Sequence, residues 1–303
     1  MSPVAAVALL AVGVVLVVAG AELLFDGLLA LAARLGMPAF AVTAVVSGLE
    51  LENLVAGIAA NAKGLPGAAA GTFLGGTTFI ALAVAGVAGV ASPLKARLPT
   101  GALVCTAVSP LGLVALSADG RLSRLDGVVL IAWFALTMWG LARFGPRPQE
   151  PPLGARRRWP WRLAAGLALL AGGGEAVGEG ISRTVSDLGV SQTLLGNTAV
   201  AASVEAEELG RVAVPARRGR PELALANLTG TIVHFVALNA GVIALVRPLP
   251  LGGTTLRLHL PVAVASTLVL TLVLAIEGGV TRRAGLLLAA LYVDYVAVAI
   301  ALS

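Results

Sequence analysis

The chain has 303 residues, 58% of them hydrophobic and only 12% charged, with a mean hydropathy of +0.94 and a net charge of +5. Soluble domains are nearer half apolar and a quarter charged, so this composition excludes an ordinary water-soluble enzyme or binding module and indicates an integral membrane protein. Basic residues in so apolar a chain anchor loops at a membrane surface, so no nucleic-acid partner is expected. The absence of period-2 alternation argues against an outer-membrane barrel.

The N-terminal run MSPVAAVALLAVGVVLVVAG lacks a basic n-region and stays apolar past signal-peptide length. It reads as a first spanning helix. Breaks at Pro, Gly and charge clusters then set off ten apolar segments, at 3–25, 38–61, 67–91, 100–118 and 125–144, and, after RFGPRPQEPPLGARRRWPWR, at 162–182, 190–214, 221–246, 258–277 and 284–302. Most approach the ~20 residues that cross a bilayer as a helix. Cys105, the single cysteine, leaves no disulfide framework or cysteine metal site within one copy. Loops after odd-numbered segments hold 14 basic residues, among them Lys95, Arg97, Arg282 and Arg283, against six in the other loops. The positive-inside rule places the odd loops in the cytoplasm and both termini outside the cell (inner) membrane.

The two halves repeat each other. AVVSGLELENL (44–54) lies over AVAASVEAEEL (199–209) at an offset of 155, matching Glu50 with Glu205, Glu52 with Glu207 and Asn53 with Glu208. Without a gap, Lys63 meets Arg218, Gly64 meets Gly219 and Pro66 meets Pro221; upstream the offset becomes 153, pairing Glu22 with Glu175 and Asp26 with Glu179. Each half holds five spans. Duplicating an odd number inserts the copies in opposite senses, so the expected fold is all-α, ten helices as two inverted five-helix repeats. The halves are 1–144 and 162–303, joined by a cytoplasmic linker at 145–161.

Acidic groups inside spans are costly, at roughly 2.5–3.5 kcal/mol each near mid-membrane. They are expected to face a hydrated cavity, a bound cation or each other. Glu50 and Asn53 are three apart, as are Glu205 and Glu208, so each pair shares a helix face. Glu52 and Glu207 point about 200° away in a regular helix, which assigns them outer positions unless the helix is unwound there. Glu50, Glu205 and Glu208 are the expected direct ligands. Hard divalent cations such as Ca2+ take six to eight oxygens. Converging carboxylates without a cation repel and raise a pKa, so protons would occupy the site when the metal leaves.

A second constellation follows each acidic stretch: Thr72 and Thr77 in AAAGTFLGGTTF, Asn227 and Thr231 in LALANLTGTIVHF. Its small residues suit close helix packing, and its oxygens would add neutral donors beside the carboxylates. Glu22 with Asp26 and Glu175 with Glu179 sit nearer segment ends, where a hydrated vestibule or a solvated end is expected. His234 is either a proton carrier or a packed core histidine.

At these residues the chain resembles the calcium/cation antiporter superfamily, which includes sodium/calcium and cation/proton exchangers. Its halves each carry a motif of the form G-T-S-x-P-E, then K/R-G, then G-N-x-x-G-S-N. SVEAEEL with RRGRPELALANLTGT is similar, with Ser203 in the glycine place, Glu208 as the glutamate and Asn227 as the asparagine. GLELEN with KGLPGAAAGTFLGGT keeps Gly48 but has Asn53 where the glutamate is expected. The T-S-x-P core has become Leu49–Glu52 and Val204–Glu207, and Ile80 and Phe235 stand where later ligands are expected. The resemblance implies ten spans in two inverted repeats and no enzyme activity. With the carboxylates, it implies a secondary antiporter exchanging a divalent cation, Ca2+ foremost, for protons by alternating access. The alternatives are sodium-coupled calcium exchange, or a channel-like or non-transporting protein with a degenerate site.

Overall fold

The computed structural model describes residues 3–146, 159–186 and 206–302. These are almost entirely helical. Among the described residues, seven helices are long and apolar enough to cross a membrane, and Thr100–Leu116 is a shorter apolar helix. Packing divides the chain into two compact units: Met1–Ala39 with Pro148–Arg220, and Phe40–Arg147 with Pro221–Ser303. Each unit thus draws on both halves of the sequence.

The first unit contains α1 (Pro3–Leu35), α8 (Trp159–Ser186) and α9 (206–217). α1 runs ten residues beyond the apolar segment read as 3–25, continuing through Asp26 and Gly27 until Gly36 ends the helix at φ 64°. Its glycines recur every seven residues and meet those of α8. A Cβ on Gly13 would touch the Gly173–Val177 turn, one on Gly20 the Gly166–Leu170 turn, and one on Gly27 Leu163. Contacts that descend α8 as they ascend α1 make the two helices antiparallel. Small residues at this seam let the backbones approach, which is how helices pack where lipid removes the hydrophobic drive.

The second unit contains α2 (Ala39–Val46), α3 (Leu51–Ala62), α4 (Pro66–Thr78), α5 (Ala85–Ala91), α6 (Thr100–Leu116) and α7 (Arg124–Phe144) from the first half. From the second half it holds α10 (Pro221–Val233), α11 (Ala240–Val246), α12 (Leu260–Glu277) and α13 (Arg282–Ala301). π-helical turns at Phe79–Val84 and His234–Asn239 join α4 to α5 and α10 to α11, at the same offset of 155 as the sequence repeat. Short antiparallel pairs cross between halves: β1 (Leu94–Lys95) with β4 (Gly279–Val280), and β2 (Arg121–Leu122) with β3 (Leu249–Pro250). The glycine contacts cross in the same way, Gly86 against Gly285 and Gly241 against Gly127. α3 and α11 are bolted at their C-termini, where Asn61 Nδ2 donates to Arg247 O at 2.7 Å and Arg247 Nη1 donates to Ala62 O at 2.8 Å.

Candidate functional site

In the second unit the first acidic stretch lies at a helix break. α2 stops at Val46, Ser47 and Gly48 form a turn, and Glu50 precedes the first turn of α3 at φ −91° and ψ 73°. Ser–Gly pairs are a usual place for a helix to give way, and this glycine also permits a close approach. A Cβ on Gly48 would sit 2.7 Å from the Thr231 nitrogen, and one on Gly230 would collide with Ala44 O. Ser47 Oγ donates to Asn227 Oδ1 across the same contact. The broken helix of one half is therefore seated on the Asn227–Thr231 turn of the other.

Glu50 is buried, and Asn53 Nδ2 donates to its Oε2 at 3.5 Å, so the expected shared face is present. Glu52 is exposed, on the other side of the helix. Thr43 and Thr231 are buried with hydroxyls that have no hydrogen-bond partner among the described residues. Thr43 lies one turn before Ser47 and Thr231 one turn after Asn227, so each shares a face with a member of the contact. Leaving such a hydroxyl unsatisfied costs about 1–3 kcal/mol. Carboxylate, carboxamide and hydroxyl oxygens are the donors a hard cation takes, so the residues present suit one chemically. Thr77 is buried and Thr72 half-buried; their hydroxyls donate to Phe73 O at 2.7 Å and Ala69 O at 2.8 Å, leaving oxygen lone pairs free to accept.

The described part of the second acidic stretch, from residue 206, belongs to the first unit. On α9, Arg211 Nη1 lies 2.7 Å from Glu208 Oε1 and Nη2 lies 3.4 Å from Glu207 Oε2, with all three side chains at most 8% exposed. One turn of helix brings the guanidinium under both carboxylates. Glu207, expected to face a second environment, reaches the same arginine as Glu208. Glu205 and Ser203 lie outside the described residues. Among the described residues, no three His, Cys, Asp or Glu side chains gather as a metal-binding group.

Other acidic and titratable residues fall into ordinary roles. Arg218 holds Asp26 at 2.6 Å and Glu22 at 3.4 Å, with its guanidinium 5.3 Å from the Phe25 ring centre, so this pair forms a partly exposed ionic end. Glu175 and Glu179 are exposed. His234 is buried, its Nδ1 lies 2.8 Å from Gly230 O, and its ring lies 4.8 Å from that of Phe134 at a tilt of 58°, a packed core histidine.

Three residues escaped the sequence reading. Arg211 lies inside the apolar segment read as 190–214; that position was itself a signal, since a charge in a span needs a partner. Ser47 is isolated in sequence from Asn227, and nothing local announces their contact. Asn239 is buried with neither amide atom partnered among the described residues, at the end of a π-helical turn.

Comparisons with known proteins agree over nearly the whole chain. A family model described as "Sodium/calcium exchanger protein" matches residues 5–142 and 159–301. The inner membrane protein YrbG of Escherichia coli (strain K12) is 26% identical over 271 residues, 80% of each chain. The sodium/calcium exchanger MaX1 of Methanosarcina acetivorans is 30% identical over 111 residues, 37% of this chain and 32% of its own. The solved structure of the sodium-calcium exchanger NCX_Mj, soaked with zero Na+ and Ca2+, superposes with a TM-score of 0.81 at 23% identity, covering 96% of this chain and 98% of that one.

Proposed function

The chain belongs to the sodium/calcium exchanger family, a family of multi-pass membrane transporters rather than enzymes, and from that premise we propose that it exchanges a divalent cation, Ca2+ foremost, for protons. The observation that carries this reading is the break at Ser47–Glu50, where a buried carboxylate precedes a helix start and its turn packs against Asn227 and Thr231. Glu50 supplies the charge. Asn53, Asn227, Thr231, Thr72 and Thr77 supply neutral oxygens, and Glu52, exposed, stands at the approach.

The Glu207–Glu208–Arg211 cluster is a carboxylate pair that carries its own cation. While the guanidinium occupies Glu208, that oxygen is not available to Ca2+, so metal binding there requires the arginine to withdraw. Proton coupling rests on carboxylates standing where the resembling family keeps hydroxyls. When the metal departs, Glu50 takes a proton rather than remaining a bare charge in a poorly solvated site.

Ten spans in two inverted repeats, working by alternating access with both termini outside, complete the proposal. Supporting it are the recurrence of helices and π-helical turns at the 155-residue offset and the antiparallel packing of α1 on α8, which are counterparts in the two halves. A sodium-coupled reading is favoured by the names of MaX1 and NCX_Mj. Proteoliposomes separate the two. An imposed pH gradient should drive radioactive Ca2+ uptake that an equal Na+ gradient does not. Uptake driven by Na+ alone would establish the second reading, and no gradient-driven uptake of any cation would refute both.

A further inference from the structure

The two short β pairs mark ends of the second unit that differ in how their basic residues are used. At the β2–β3 end, Arg121 pairs with Asp119 at 3.3 Å, Arg124 Nη2 donates to Val246 O at 3.4 Å, and Arg247 Nη1 donates to the carbonyls of Asn61 and Ala62. Lys63 and Arg257 there make no ion pair or side-chain hydrogen bond among the described residues. The β1–β4 end collects Lys95, Arg97, Arg282 and Arg283, because β1 pairs with β4 and α13 starts two residues after β4. Among the described residues none of these four makes an ion pair or side-chain hydrogen bond. The acid at this end, Glu277, accepts a hydrogen bond from Thr281 Oγ1.

Arg97 also lines the mouth of a cavity of about 570 Å³ between α6 and α12. Leu103, Val104 and Ala107 form one wall and Leu268, Leu272 and Ala275 the other. At 1.5 Å per residue, those walls run about 10 Å into the membrane from the end where Thr100 opens α6. The α6 N-terminus adds unpaired backbone N–H groups and the positive end of its dipole at the same mouth. Nothing in the fold repeat demands an arginine there: at the 155-residue offset the counterpart of Arg97 is Gly252.

We propose that this cavity is a binding site for an anionic phospholipid of the surrounding leaflet, with its phosphate on Arg97 and the α6 N-terminus and an acyl chain along the α6–α12 groove. Charge complementarity selects the occupant. A zwitterionic lipid brings a second, positive group into a cluster whose cations are otherwise unmatched, whereas an anionic one brings only the phosphate. Lys95, Arg282 and Arg283 widen the attraction, since basic residues beside an anionic membrane surface each strengthen binding several-fold.

Native mass spectrometry of the full-length protein, incubated with equal phosphatidylglycerol and phosphatidylcholine, tests the site. Wild type should retain phosphatidylglycerol preferentially, and Arg97→Gln should lose about fivefold of that preference. Arg97→Lys should keep most of it, and Arg121→Gln, at the opposite end, should keep all of it. Ala107→Phe, which fills the groove, should reduce retention of the lipid while leaving the head-group cations in place. Equal retention of the two lipids, or an unchanged preference in Arg97→Gln, would overturn the proposal. So would glycerol 3-phosphate competing as well as the intact lipid, since that identifies a free-phosphate site instead.

Discussion

The two acidic stretches are related by the repeat yet reach the same charge by different means. Residues 50–56 carry Glu50 and Glu52 and no base, whereas residues 205–211 carry Glu205, Glu207, Glu208 and Arg211, so each stretch has a formal charge of −2. Where the second copy has Arg211, the first has Ala56; where the second has Glu208, the first has Asn53. The extra carboxylate arrives with its own guanidinium, in a salt bridge buried on α9. The other copy breaks its helix and hydrogen-bonds Asn53 to Glu50. A duplicated motif can thus keep its net charge while one copy carries an internal salt bridge and the other an amide–carboxylate hydrogen bond.

Substitutions break this comparison in order of expected size. Glu50→Gln removes the buried carboxylate of the first copy and should abolish coupled transport, a loss of about 100-fold or more. Glu52→Gln, two residues away but exposed, should change flux less than about twofold. Equal losses from both variants would mean that burial does not distinguish the two glutamates.

Arg211→Gln removes the guanidinium of the second copy. Removing one partner of a buried pair typically costs about 3–5 kcal/mol, so the melting temperature should fall sharply without added metal. Divalent cations should then recover more stability in this variant than in wild type, as they replace the lost guanidinium. A fall that no cation reverses would make the pair purely structural.

Gly48→Ala tests the contact that seats the first copy. Its methyl would meet the backbone at Thr231, and about 1–3 kcal/mol should be lost in chemical denaturation. Thr231→Val is the mildest change. Replacing an unpartnered buried hydroxyl by a methyl should leave metal-free stability equal or slightly higher, while Ca2+ affinity drops a few-fold by calorimetry. Unchanged affinity would remove Thr231 from the ligand set.

Much of this was readable from residues alone, for stated reasons. Apolar length and Pro–Gly punctuation marked the spans, and the two-residue spacing of Glu50 and Glu52 left an unwound helix as one of two readings. The π-helical turns at Phe79–Val84 and His234–Asn239 were not readable. They lie in helices buried on nearly every side, where no apolar stripe exists to reveal a change of period. α1 reached Leu35 because Arg218, distant in sequence, pairs with Asp26 and Glu22; the charges that made the segment seem to end at 25 are matched. Arg211 was overlooked because basic residues were weighed as loop markers. The Ser47–Asn227 bond depends on tertiary packing that no local pattern encodes.

The most direct test of cation–proton exchange at Glu50 counts protons released when Ca2+ binds the purified protein in weakly buffered solution. Wild type should release at least one proton per Ca2+ bound, and Glu50→Gln should release fewer and bind Ca2+ far more weakly. Ca2+ binding without proton release, or undiminished binding and release in Glu50→Gln, would contradict it.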